Sequence, residues 1–258
     1  MASVLDKFDL SGKCALVTGA SSGLGWRMAE VLAEQGARVV LGARRADRLE
    51  QLKASIERAG GTPETVALDV SERDSIVAAI DRTRDLFGPL DILINNAGVA
   101  IEKWAIDVTP DDWRRVLNIN LDGVWHGAQA AARQMIEAGN GGVIINIASI
   151  LGLGVSKITA PYAVSKAGVV QLTKALALEF ARHDIRVNAI APGYIRTEIN
   201  EHFLDSEDGK RMLRKIPQRR FGEPSDLDGV LLLLASSASS FMTGAVLTVD
   251  GGQLLDVG

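Results

Sequence analysis

Cysteine is nearly absent. Among 258 residues only Cys14 occurs, which excludes an internal disulfide and a cysteine-rich metal site. Histidine is almost as scarce: His126, His183 and His202 are scattered along the chain. No ligand cluster is expected from them, and no metal. Long apolar runs are missing too, the longest covering residues 230–235, far short of the ~20 that span a bilayer. Residues 1–7 carry no apolar secretory core. These absences predict a protein of the reducing cytoplasm without a membrane span. Charge of one sign is also lacking, with 28 basic against 32 acidic residues and a net −4. There is no basic excess to neutralise phosphates, so nucleic acid is not an expected partner. The composition that remains, 47% apolar and 23% charged, is that of a folded globular chain.

Short apolar runs alternate with longer amphipathic stretches along nearly the whole length. The runs are residues 14–17, 37–41, 65–68, 90–94, 142–147, 185–190 and 245–249, and the helical stretches include 26–35, 48–58, 75–86, 121–137 and 167–182. Such alternation predicts right-handed βαβ crossovers in one α/β domain: a Rossmann-type doubly wound fold, with a seven-stranded parallel sheet and helices on both faces. One polar, charged stretch breaks the rhythm, at about 195–215. It follows a late strand, on the side where open α/β sheets bind ligands, so a substrate lid is expected there.

The first strand runs into Thr18-Gly19-Ala20-Ser21-Ser22-Gly23-Leu24-Gly25 and then a helix. Glycines between a strand and a helix N-terminus let backbone amides approach a phosphate. Gly19, Ser21, Ser22, Gly23, Leu24 and Gly25 are therefore the candidate dinucleotide loop. NAD users place a carboxylate at the end of the second strand, whereas a 2′-phosphate needs arginine. Here that position reads Ala43-Arg44-Arg45. The two arginines suit NADP(H); NAD(H) remains open if they are only solvated.

Tyr162 and Lys166 lie four residues apart on a predicted helix, so they share a face. A nearby ammonium favours the phenolate, which makes Tyr162 a candidate general acid/base. Thirteen residues before Tyr162, the strand Ile145-Asn146-Ile147-Ala148 ends at Ser149. A strand's C-terminal end is where this fold places its chemistry.

These motifs together resemble the short-chain dehydrogenase/reductase family, in its branch about 250 residues long. The resemblance covers essentially the whole chain. It rests on the Gly19–Gly23–Gly25 loop, Asp69-Val70, Asn95-Asn96-Ala97-Gly98, Asn120, Ser149, Tyr162 with Lys166, and Pro192-Gly193 with Thr197. It implies hydride transfer between NADP(H) and a secondary alcohol/ketone pair. By resemblance, Tyr162 is the acid/base, Ser149 binds the substrate oxygen, and Lys166 tunes Tyr162 and holds the nicotinamide ribose. Asn120 would hold a relay water. Asp69 and Val70 would flank the adenine, Asn96, Ala97 and Gly98 would line the cofactor strand, and Pro192, Gly193, Ile195 and Thr197 would meet the nicotinamide end. The alternative is an NAD-linked polyol/gluconate- or hydroxysteroid-type dehydrogenase. A non-catalytic nicotinamide sensor would have no need of the acid/base.

The substrate side is expected to be mainly apolar, from residues 150–159, Trp104, Tyr194, Phe203 and Met212. Lys157, His202 and Arg211 keep an acidic substrate open. Small and apolar residues on several faces of 121–137 and 167–182 imply buried second faces. With the family's two helical interfaces, this predicts a homotetramer with 222 symmetry.

Overall fold

The continuous apolar strands are explained by burial on both faces of a parallel sheet. In β1 (Cys14–Thr18), Cys14 and Leu16 pack into one layer while Ala15 and Val17 pack into the other. The computed structural model describes residues 3–198 and 200–255. Seven strands form one parallel sheet in the order β3-β2-β1-β4-β5-β6-β7. They are β1, β2 (Arg38–Ala43), β3 (Thr62–Ala67), β4 (Ile92–Asn95), β5 (Gly142–Ile147), β6 (Ile185–Pro192) and β7 (Val246–Val249).

Helices α1 (Gly23–Glu34), α2 (Ala46–Arg58) and α9 (Asp228–Ala235) cover one face through Met28, Leu32, Leu52 and Leu231. Helices α3 (Arg73–Phe87), α5 (Gly123–Ala138) and α6 (Ala160–Phe180) cover the other through Ile80, Ala131, Met135 and Leu176. A shorter α4 (Pro110–Leu117) leads into α5, and α7 (Glu201–Leu204) and α8 (Glu207–Leu213) fill the polar stretch near residue 205. The strand order reverses between β1 and β4, which opens a crevice at their C-terminal ends.

Most boundaries shift by a few residues from the sequence expectation. β3 begins at Thr62, ahead of its apolar part, because an edge strand tolerates Pro63 and needs no buried partner on its outer side. Helix α6 carries Tyr162 and Lys166 as expected, with Pro161 in its first turn. Among the described residues, no helix is long and apolar enough to cross a membrane.

Candidate active site

The loop from β1 to α1 is shaped by contacts that exclude side chains. Gly19 and Gly23 have φ of +69° and +56°, which glycine adopts without strain. A methyl on Gly25 would collide with the Gly19 carbonyl and the Asn96 amide. Thr18 ties the loop to β4: its hydroxyl donates to the Ile94 carbonyl at 3.2 Å and accepts from the Asn96 and Ala97 amides at 3.0 and 3.1 Å. Asn96 donates from its side chain to the Thr18 and Gly19 carbonyls at 2.9 and 3.3 Å. Its amide is thus used to brace the glycine loop; Ala97, whose backbone amide is bound to Thr18, and Gly98 continue along the crevice wall.

Ser22 precedes α1 and makes no side-chain cap bond. The first amides of a twelve-residue helix are left for an anion, whose charge the helix dipole favours. Arg45 lies over this loop and donates to Ser21 Oγ at 3.0 Å and Ser22 Oγ at 2.8 Å. Among the described residues its hydrogen-bond partners are hydroxyls and the Ser21 carbonyl, so no carboxylate neutralises it. Arg44 points towards Asp69 at 3.8 Å and is largely exposed. Partial burial pushes the Asp69 carboxyl up, but the Ser71 hydroxyl and amide, with Arg44, outweigh it and hold the group below its usual range. Val70 packs its backbone against Gly123 of α5. A third arginine, Arg48, was missed by sequence reasoning: it stacks on Trp26 and donates to Glu198 at 2.7 Å. Its spacing from Arg44 and Arg45, one helical turn into α2, was the available signal.

At the other end of the crevice, Ser149 closes β5 and Tyr162 and Lys166 rise from the first turns of α6. The Leu151 amide donates to Ser149 Oγ at 3.1 Å, which leaves the serine proton free to donate. Tyr162 is half-buried; loss of water pushes its phenol up, and the Ser149 hydroxyl works against that rise. Lys166 Nζ sits 5.7 Å from the Tyr162 ring centroid and donates to the Ile147 carbonyl at 2.7 Å. Burial lowers Lys166 to about 8. The Lys166 ammonium thus stands beside the phenol, as the sequence expectation placed it, while burial and Ser149 act on the phenol in opposite directions.

Asn120 lies in a π-helical turn, Asn118–Asp122. Its side chain donates to the Val99 carbonyl at 2.8 Å and to Ser165 Oγ at 3.1 Å, and accepts from the Val99 amide. A methyl placed on Gly98 would stand 3.4 Å from Asn120 Oδ1 and 3.7 Å from Lys166 Nζ, so these three positions meet.

The turn after β6 completes the enclosure. Gly193 donates to the Val249 carbonyl at 2.9 Å and packs on Asp250, beside Pro192 at the strand end. Ile195 is buried and bridges to Gly222. Thr197 faces the glycine loop, its methyl 3.3 Å from where a Gly23 side chain would begin. The structure thus brings the sequence-predicted residues to one crevice, with Arg44 at its outer edge. It also adds the C-terminal turn: Leu254 touches Gly154 and Gln253 donates to Met212 Sδ at 3.4 Å. That turn is too short to signal itself in sequence.

The crevice residues fit a dinucleotide, with a glycine cradle, a helix N-terminus and an unneutralised arginine in a row. Comparison with known proteins agrees. A family model described as enoyl-(acyl carrier protein) reductase matches residues 19–253. The chain is 40% identical to 2-dehydro-3-deoxy-D-gluconate 5-dehydrogenase of Escherichia coli K12, over 97% of this chain and 99% of that protein. It is 41% identical to 3beta-hydroxysteroid dehydrogenase 1 of Eggerthella lenta, over 96% and 95%. A solved gluconate 5-dehydrogenase from Burkholderia cenocepacia J2315, in complex with NADP and tartrate, superposes with a TM-score of 0.94 at 38% identity, covering 99% of this chain and 100% of that one. With sequence, strand order and crevice in agreement over nearly its full length, the chain belongs to the short-chain dehydrogenase/reductase family and is an oxidoreductase acting on a CH–OH/C=O pair.

Proposed function

We propose that this protein interconverts a ketone and a secondary alcohol with NADP(H), using Tyr162 as the general acid/base. The observation that carries the reading is the meeting of Ser149, Tyr162 and Lys166 at one end of a crevice whose other end is the glycine cradle with Arg45. A bound reduced nicotinamide supplies the hydride. Ser149, its oxygen already accepting from Leu151, donates to the substrate carbonyl oxygen and holds it beside the phenol. Tyr162, kept protonated at neutral pH by burial, gives that oxygen its proton. Lys166 then stands near the phenolate left behind and favours it. Asn120 has its side chain committed to Val99 and Ser165, so its main chain serves the proton relay, in a π turn that interrupts the helical ladder.

Arg45, aided by Arg44, would hold the 2′-phosphate, Asp69 and Val70 would border the adenine, and Pro192 to Thr197 would close on the nicotinamide end. Residues 195–215 would serve as the lid. Trp125, Ile136, Val164 and Leu178 are exposed on α5 and α6; apolar groups left in water on these two helices support a homotetramer, which light scattering tests. A single buried Cys14 suits a reducing cytoplasm. A second reading, an NAD-linked polyol or sugar-acid dehydrogenase, is supported by the gluconate names among the relatives and by exposed Lys157.

The test titrates wild type and Tyr162→Phe with NADPH and NADH. NADPH should bind more tightly, and Tyr162→Phe should keep that binding while losing turnover by about 1,000-fold. Tighter NADH binding would promote the second reading, and an active Tyr162→Phe would refute the assigned acid/base.

A further inference from the structure

The mouth of the crevice is built from side chains that water does not favour. After Ser149, the chain exposes Leu153 at 47% and Val155 at 90%. Across from them Trp104 is 58% exposed, and the Lys103 amide joins the two loops by donating to the Ile158 carbonyl at 2.9 Å. Ile158 has φ of +61°. A β-branched residue is strained there and glycine would not be, so the retained side chain has a use. The lid contributes Tyr194 and Phe203, with ring centroids 6.1 Å apart. Leu254 borders Gly154, and Leu255 beyond it is exposed. Scattered apolar side chains are ordinary on a surface; a contiguous rim around a cleft marks a binding site.

The charges around this rim are disposed against an anion. Lys103 is taken by Asp112 at 2.6 Å, Arg196 by Asp205 at 3.0 Å and Arg220 by Asp226 at 2.6 Å. Arg211 is taken by Asp208. Glu102, exposed on the same loop as Lys103, adds a further carboxylate there. Among the described residues of the two loops, Lys157 is the cation without a carboxylate partner. A carboxylate bound here would lose water against apolar walls with little in return.

We propose that the substrate is a neutral ketone, or the corresponding secondary alcohol, carrying a bulky apolar group, and that the apolar rim, its cations but for Lys157 already paired, turns away anionic polyhydroxy acids. The proposal rests on the oxidoreductase reading above. In the reduction, the carbonyl carbon takes the hydride and the carbonyl oxygen takes a proton, so C=O becomes CH–OH as the reduced nicotinamide is oxidised.

The experiment compares benzylacetone with 5-keto-D-gluconate, by initial rates with NADPH and by calorimetric titration of the NADP⁺-bound protein. Benzylacetone should be favoured in kcat/KM by about 100-fold. Val155→Asp should raise its KM about tenfold with kcat unchanged, one buried apolar group being worth that much. Equal or better use of 5-keto-D-gluconate overturns the substrate class and leaves the oxidoreductase assignment standing. Turnover of neither ketone, by protein that binds NADPH, overturns the substrate class as well. A Val155→Asp protein of altered oligomeric mass with unaltered KM would assign the rim to contact between copies and overturn the proposal.

Discussion

The two halves of the crevice are held by different means. On the cofactor side the loop from β1 to α1 is fixed by part-buried hydrogen bonds of ordinary length through Thr18 and Asn96, and by glycines that admit no side chain. On the substrate side the loops and α7–α8 are tied mostly by exposed ion pairs and carry apolar groups in water. Buried hydrogen bonds are costly to leave unmade, whereas exposed ion pairs contribute little. The difference teaches that the half which must fit a fixed ligand is built rigidly. The half that meets the substrate is free to vary and to move.

The comparison can be broken most severely on the rigid side. Gly25→Ala forces a methyl between the Gly19 carbonyl and the Asn96 side-chain amide. It should lower NADPH affinity by about 5- to 150-fold while circular dichroism stays native, since overpacking typically costs 1–3 kcal/mol. Native-like NADPH binding would show that the cradle is looser than its packing.

Lys166 sharpens the contrast through stability. Its folded pKa, about 8, lies below the ordinary lysine value of 10.5 because of burial. Above pH 10.5 the lysine is neutral in both states and the fold bears no penalty. As pH falls to about 8 the unfolded chain binds the proton first, and the penalty grows until both states are charged. Lys166→Met should therefore be more stable than wild type at pH 7, by no more than about 3 kcal/mol. The gain should vanish between pH 8 and 10.5, while activity is lost. Urea melts at pH 7 and pH 10.5 check both arms; a destabilised variant at pH 7 would show that the bond to Ile147 outweighs the buried charge.

The smallest effect belongs to α7–α8. Asp205→Asn removes the exposed partner of Arg196. Stability should change by less than about 1 kcal/mol, with any effect confined to KM. A larger loss would mean that α7–α8 is braced as firmly as the glycine loop.

Much of this was legible in the chain. The apolar runs predict all seven strands because a sheet covered on both faces must be apolar throughout each strand. Gly19, Gly23, Gly25, Tyr162 and Lys166 are legible because a tight turn and a single helical face are local features. Asn96 was legible as a position and not as a part: the Thr18 carbonyl it binds lies 78 residues away. Leu254, which borders Gly154, was missed for the same reason.

The sequence by itself determined the layers, the glycine turn and the shared face of Tyr162 and Lys166, since each depends on neighbours within a few residues. Only the tertiary structure decided which arginine lies over Ser21, what acts on the Tyr162 phenol, that Lys103 meets Ile158, and that Leu254 borders Gly154. Those relations join elements far apart in the chain, and pattern within a window carries no information on which of them the sheet brings together.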